Sequence, residues 1–437
     1  MITKTKPFYR HSRLGLPGFG LALGRLGSLE RGAAYLLASN VVLAGAGFGF
    51  WWLVARLFPP AEVGLATALI GLAGLVASLA QGGFNVALIR YLPRSSEPRR
   101  LLESVLALTA LLALAGGVAS AAALPLLVRP VSAAPAQPWL AAGLVVVIIL
   151  AALNAVTDSV FIALRLPRAI LIINSLAGTC KLMLPVLLAG RGFGAIFAAY
   201  GLVTALGVGL SLVGMRRFTG YWPRLRLRPA VLGPVTRFAL ASQAASTLSQ
   251  LPLLVLPLVV LARLGAVAAA CFYLAMMIVG FTSTVTQMVV QSLLAGGSQP
   301  TAAVKPLVRR AVGLVLVATM SLAALATLVG PWLLGLLGPE YAAGSELFLR
   351  IAVLSAVPVG LSLVANTWLR LHHGLGRLMM AETAYVVATA LAVGWGLPHG
   401  LAGIAWALLC GQLAGLAAYA AACWWPWRTA NVGTTPT

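Results

Sequence analysis

Long apolar runs, broken by short polar clusters, follow one another along almost the whole chain. A helix needs about 20 mainly apolar residues to cross a hydrocarbon core of about 30 Å. Twelve segments reach that length between breaks at charge, proline and glycine: 33–55, 63–89, 103–128, 139–164, 170–189, 194–215, 237–261, 267–294, 308–329, 347–369, 379–397 and 401–424. The pattern predicts an all-α polytopic membrane protein with about 12 transmembrane helices. Composition agrees: 61% of the residues are apolar and 9% charged, against about 25% charged in soluble domains.

Charge supplies the orientation, because cytoplasmic loops carry the excess of Lys and Arg. Sorted into alternate loops, 24 of the 30 basic residues fall on the side of the termini and five on the other, with Lys181 inside a span. Both ends are therefore expected in the cytoplasm. Trp424, Trp425 and Trp427 beside Arg428 read as an interfacial anchor. The net charge of +22 does not point to nucleic acid, since the basic residues form short clusters between apolar runs and no continuous face.

The expected organisation is a basic cytoplasmic tail over 1–30, an N-terminal lobe of six helices over 31–215, a basic linker over 216–236, a C-terminal lobe of six helices over 237–425, and a cytoplasmic tail over 426–437. Pro17 and nearby glycines interrupt the apolar part of the first tail, so a retained tail is expected and not a cleaved leader. Six crossings per lobe bring both lobes into the membrane from the same side, related by an axis along its normal. Ala55-Arg56-Leu57 and Ala262-Arg263-Leu264, and Gln81 and Gln287, are faint echoes of such a repeat. The expected architecture is two six-helix lobes around a central cavity.

Candidate functional groups follow from the cost of polar residues at membrane depth, about 3 kcal/mol for a charge on insertion scales. Asp158 lies about two turns inside the fourth span, and Lys181 lies near the middle of the fifth. They could neutralise each other as a structural pair, or serve as a cationic site tuned by a carboxylate. Asn154 shares a helix face with Asp158, and Asn174 shares one with Lys181. Gln287 and Gln291 are further candidates for a cavity wall, with interhelical hydrogen bonding as the plainer reading. Glu382 is expected to reach the interface or Arg377. Gly45, Gly47 and Gly49 in the first span and Pro252 and Pro257 in the seventh are paired weak points suited to gating.

Several chemistries are excluded. Cys180, Cys271, Cys410 and Cys423 lie in apolar runs without ligand spacing, and His11, His372, His373 and His399 have no carboxylate at helical spacing. No metal and no cofactor is expected. The chain has no G-x-x-x-x-G-K-[ST] loop for ATP, no H-E-x-x-H and no G-x-S-x-G. The longest outer loop, expected over 330–346, holds Glu340 and Glu346 but no histidine. An enzyme is therefore not expected.

Trp51-Trp52-Leu53-Val54-Ala55-Arg56-Leu57-Phe58-Pro59-Pro60-Ala61-Glu62-Val63-Gly64 and Asn85-Val86-Ala87-Leu88-Ile89-Arg90-Tyr91-Leu92-Pro93 resemble the first helical hairpin of bacterial polysaccharide-biosynthesis membrane proteins. These are the O-antigen flippase type within the multidrug/oligosaccharidyl-lipid/polysaccharide exporter superfamily. Asp158-Ser159-Val160-Phe161-Ile162-Ala163-Leu164-Arg165, Lys181 and Gly338-Pro339-Glu340-Tyr341 are similar to that family as well. The resemblance implies alternating access between two lobes, and a secondary transporter of the bacterial inner membrane that flips a polyprenyl-pyrophosphate-linked oligosaccharide outward in cell-surface polysaccharide biosynthesis. It implies Lys181 as the pyrophosphate contact, with Arg56, Arg90, Arg165 and Arg370 as further head-group contacts. The implied partners are the lipid bilayer, the lipid-linked saccharide, and glycan polymerase or ligase enzymes. A cation-coupled drug exporter on the same scaffold, a membrane-embedded polymerase or ligase, and a non-transporting scaffold are the alternatives.

Overall fold

The computed structural model describes residues 28–128, 138–164, 166–297, 304–372 and 374–429. Among these there are helices and no strands. In chain order they are α1 (Ser28–Leu57), α2 (Pro60–Ala80), α3 (Phe84–Tyr91), α4 (Pro98–Val128), α5 (Pro138–Ala163), α6 (Pro167–Leu187), α7 (Phe193–Thr219), α8 (Pro229–Leu264), α9 (Ala266–Gly297), α10 (Val304–Leu337), α11 (Pro339–Leu354), α12 (Ala356–Leu371), α13 (Leu375–Gly396) and α14 (Gly400–Thr429). Six of them begin on proline, whose fixed φ and missing N–H suit the first helical position, where no intrahelical acceptor exists.

Eleven stretches of the described residues are long and apolar enough to cross a membrane. The last, Gly376–Trp424, has 49 residues, far more than one crossing needs. It contains most of both α13 and α14, joined by a short 3-10 turn and by Gly400 at φ 66°, so with these two counted apart twelve stretches among the described residues are long and apolar enough to cross. Large apolar side chains face outward along them, among them Leu328 at 79% exposure. Such a surface is costly in water and suits acyl chains.

Three predicted boundaries change. The second span is divided, because Gly82 and Gly83 take positive φ between α2 and α3. Gly83 is also a point of close approach: a Cβ there would lie 2.0 Å from the Ala239 carbonyl oxygen of α8, so only glycine fits. The tenth span becomes α11 and α12, broken at Ser355. Pro358 has no N–H to give the Leu354 carbonyl, which explains the break. The outer loop expected over 330–346 is helical except around Gly338, and its Glu346 pairs with Arg350 one turn on, at 2.6 Å.

The chain forms two compact units that divide within α8, between Thr247 and Leu248. In the first, α1 and α6 run parallel. Ser39, Ala46 and Gly49 on α1 meet Asn174, Gly178 and Leu182 on α6 in that order. Helices α5 and α7 are parallel too, with Val147, Asn154 and Phe161 facing Gly201, Gly207 and Gly214. Repeats of about seven residues keep one seam in contact, and the glycines permit the close approach typical of membrane helices. At one end of this unit Leu88, Leu101, Val160, Phe161, Met215 and Val235 form a buried cluster that joins α3, α4, α5, α7 and α8. In the second unit α13 and α14 form an antiparallel hairpin, tight enough that a Cβ on Gly396 would lie 2.4 Å from the Gly403 carbonyl oxygen.

Candidate functional site

The face of α6 that packs on α1 carries both polar residues singled out in that span. A Cβ on Gly178 would lie 3.0 Å from Ala46 Cβ, and one on Gly49 2.6 Å from Leu182 Cδ2, so the backbones are close. Near the start of this seam the Asn174 amide donates to the Ser39 hydroxyl at 2.8 Å. Ser39 is almost fully buried. Two turns further on, Lys181 is half-buried, with its Nζ 5.2 Å from the ring centroid of the buried Phe50. Phe50 is in turn edge-on to Trp51, with centroids 5.1 Å apart. The ammonium thus rests on an aromatic face, worth about 0.5–2 kcal/mol, with apolar helix surface around it.

Asp158 is not its partner. Among the described residues the ion pairs are Arg100–Glu97 and Arg350–Glu346. The reason is rotational. Lys181 sits on the α6 face turned to α1, whereas Asp158 lies next to Asn154 on the α5 face turned to α7. There the Asn154 Oδ1 would be 2.9 Å from a Cβ on Gly207. Asp158 is half-buried, and no described residue gives it an ion pair or hydrogen bond. By the α5–α7 register Ser211 lies level with it, and the Ser211 hydroxyl is buried without a hydrogen-bond partner. Asp158 and Lys181 are therefore not a structural ion pair but two separate polar points inside the first unit.

The remaining candidates are dispersed. Gln287 is exposed on α9, and the side chain of Gln291 lies outside the described residues, as does Arg165. Arg56 ends α1 and is exposed. Arg90 stacks its guanidinium 4.7 Å from the ring centroid of Phe238 and 5.6 Å from that of Tyr91. Helix α1 continues unbroken through Gly45, Gly47 and Gly49, and α8 continues through Pro252 and Pro257. A Cβ on Gly45 or Gly47 would meet nothing within 4 Å.

The second unit holds a polar cluster that residue spacing did not disclose. Glu382 on α13 is only 4% exposed and does not reach to the interface or pair with Arg377, as expected from the sequence. The Tyr419 hydroxyl donates to its Oε1 at 2.6 Å, and the Asn366 amide donates to the same oxygen at 3.1 Å and to Tyr419 at 2.9 Å. Arg370 Nε donates to Asn366 Oδ1 at 2.7 Å, so a chain of hydrogen bonds leads from an exposed guanidinium to a buried carboxylate. One turn deeper, Gln412 donates to the Tyr385 hydroxyl at 2.8 Å. Asn366, Glu382 and Tyr419 sit near the same ends of their spans, which was the available signal.

The fold defines a class, a polytopic all-helical protein with many stretches long and apolar enough to cross a membrane. No protein-family model and no curated protein sequence matches the chain. Solved structures do. A lipid II flippase, MurJ, in an inward closed conformation has a TM-score of 0.72 at 14% identity over 89% of this chain and 87% of its own. An inward-facing multidrug resistance MATE family transporter of the MOP superfamily has 0.68 at 14% identity, over 91% and 100%. A MOP superfamily transporter from Pyrococcus furiosus, described as having a binding pocket of reverse polarity, has 0.65 at 16% identity, over 93% and 96%. The chain has the fold these transporters share.

Proposed function

We propose that the chain is an alternating-access transporter that moves a polyprenyl-pyrophosphate-linked oligosaccharide from the inner to the outer leaflet of a bacterial inner membrane, in cell-surface polysaccharide synthesis. The observation that carries the reading is Lys181, a half-buried cation in a helix of membrane-spanning length, with an aromatic ring beside it and no ion pair among the described residues. A site that keeps a positive charge without a resident anion is suited to an anionic cargo. The fold shared with a lipid II flippase supports a lipid-linked cargo. On this reading the two lobes over 31–215 and 237–425 are the moving bodies and the connection over 216–236 ties them. Arg56, Arg90, Arg165 and Arg370 are secondary head-group contacts, Asn154, Asn174, Gln287 and Gln291 line the path, and Gly45, Gly47, Gly49, Pro252 and Pro257 give compliance. Glycan polymerases or ligases act downstream as partners.

Purified protein in vesicles should translocate a labelled polyprenyl-pyrophosphate saccharide, and Lys181→Ala should reduce the rate at least tenfold. A rate in wild-type vesicles equal to that in protein-free vesicles refutes the proposal.

Asp158 favours a second reading, export of small cationic compounds, because a half-buried carboxylate with no ion pair among the described residues is what such a cargo needs. Loss of drug resistance in Asp158→Asn, with Lys181→Ala unaffected, would select it.

A further inference from the structure

The most basic connection in the chain is built onto the first unit. Between α7 and α8 the residues from Tyr221 to Arg228 are neither helix nor strand, and they are pinned at both ends to the start of α4. At one end the Tyr221 hydroxyl donates to the buried carboxylate of Glu103, and the Arg99 guanidinium stacks 4.9 Å from the Tyr221 ring centroid. At the other end the Ser104 hydroxyl accepts the Arg228 amide at 3.1 Å and lies 3.4 Å from the Arg226 carbonyl oxygen. In between, the Arg226 amide closes a tight turn onto the Arg224 carbonyl at 3.0 Å. That turn presents Leu225 outward, 64% exposed. The buried apolar cluster under α3, α4, α5, α7 and α8 supplies the rigid floor.

The outer surface of this platform has two properties together. Residues 90–103 and 216–237 contain ten arginines and two glutamates. Ten arginines against two glutamates leave a net charge of +8 on these two stretches; Glu97 pairs with Arg100, and Glu103 accepts the Tyr221 hydroxyl. Interleaved with the arginines are exposed apolar side chains: Trp222 at 47% and Leu227 at 44%, with Leu225 between them. Arg216 lies 6.0 Å from the Trp222 ring centroid. A free phosphate would use the charges and leave the apolar groups in water. A bilayer surface of anionic headgroups uses both, since guanidinium binds phosphate in forked hydrogen bonds and Trp and Leu settle at the headgroup level. The segment also continues directly from α7, so it lies where a span leaves the hydrocarbon.

We propose that Tyr221–Arg228, with the arginine-bearing ends of α3, α4 and α7, is a docking surface for the anionic phospholipids of the leaflet it faces. It requires only that the chain spans a membrane, and it stands whatever the cargo of the transporter is.

Native mass spectrometry of the full chain, exchanged into mixtures of phosphatidylglycerol and phosphatidylcholine, tests it. The wild-type protein should retain phosphatidylglycerol selectively. Each arginine near an anionic surface is worth about fivefold in affinity, so the triple variant Arg224→Gln, Arg226→Gln, Arg228→Gln should lose at least tenfold. A control triple, Arg309→Gln, Arg310→Gln, Arg377→Gln, removes the same charge from the second unit and should lose clearly less than the first triple. Salt provides an arm that needs no variant. Between about 0.1 and 1 M the screening length falls from about 10 to 3 Å, and the wild-type preference should collapse. Equal retention of the two lipids, insensitivity to salt, an unchanged first triple, or equal losses in both triples would each overturn the proposal.

Discussion

Replacing Lys181 by methionine should separate stability from transport in opposite directions. A lysine near the centre of a spanning helix costs about 3 kcal/mol. The Phe50 face, 5.2 Å from Nζ, offsets about 0.5–2 kcal/mol, and among the described residues no carboxylate lies within ion-pair distance. Between about 1 and 2.5 kcal/mol should therefore remain as a net burden on the fold. Methionine fills a similar volume with no charge and keeps a contact with the ring. Lys181→Met is thus expected to raise thermal stability in detergent by a few degrees. Translocation should move the other way. A charge-assisted hydrogen bond to a headgroup phosphate is worth about 1.5–3 kcal/mol, so the half-saturating concentration should rise about 10- to 150-fold. Lys181→Arg, which keeps the charge, should retain most of the transport. The measurements are unfolding of the solubilised protein followed by size exclusion, and flipping in vesicles. A methionine variant that loses a kcal/mol or more, with transport falling in proportion, would show that Lys181 holds α1 and α6 together and carries no cargo.

Other expectations test the packing and the buried cluster. Gly83→Ala combines a φ of 74° with a Cβ placed 2.0 Å from the Ala239 carbonyl oxygen, and should cost about 3 kcal/mol or more, seen as loss of folded protein on expression. Gly45→Ala and Gly47→Ala meet nothing within 4 Å and should stabilise α1 by up to about 1 kcal/mol. If transport falls while the melting temperature rises, these glycines supply compliance; unchanged transport removes them from the gating set. A double-mutant cycle of Glu382→Gln and Tyr419→Phe should give a coupling of about 0.6–1.7 kcal/mol, the range of membrane hydrogen bonds. Strict additivity would deny the 2.6 Å bond.

The helices were legible because hydrocarbon leaves the backbone no other way to satisfy its hydrogen bonds. Apolar length and punctuation are then enough. Every predicted span lies on a helix or a pair of helices, and the register adds a check on parity that hydropathy does not contain. α1 and α6 correspond to the first and fifth spans, α5 and α7 to the fourth and sixth, and both pairs run parallel, as alternate crossing demands. Where boundaries moved, the cause was local: Gly82 and Gly83 divided the second span, Pro358 broke the tenth, and helix continued through residues where polar composition suggested a loop.

Pairing between helices was far less legible, and Asp158 and Lys181 show why. Depth can be counted from sequence at about 1.5 Å per residue, and the two depths were compatible. Whether two side chains meet also depends on the rotation of each helix about its axis, which small residues on distant helices set. Ser39, Ala46 and Gly49 turn α6 so that Lys181 faces Phe50, and Gly201, Gly207 and Gly214 turn α5 so that Asn154 and its neighbour Asp158 face α7. The same logic hid Glu382. Its two hydrogen-bond partners lie 16 and 37 residues away on α12 and α14, so nothing within one turn of it announces a buried site. A charged residue in a spanning helix therefore identifies itself by its cost, while its partner is identified only by the glycine and alanine seams that fix each helix in rotation.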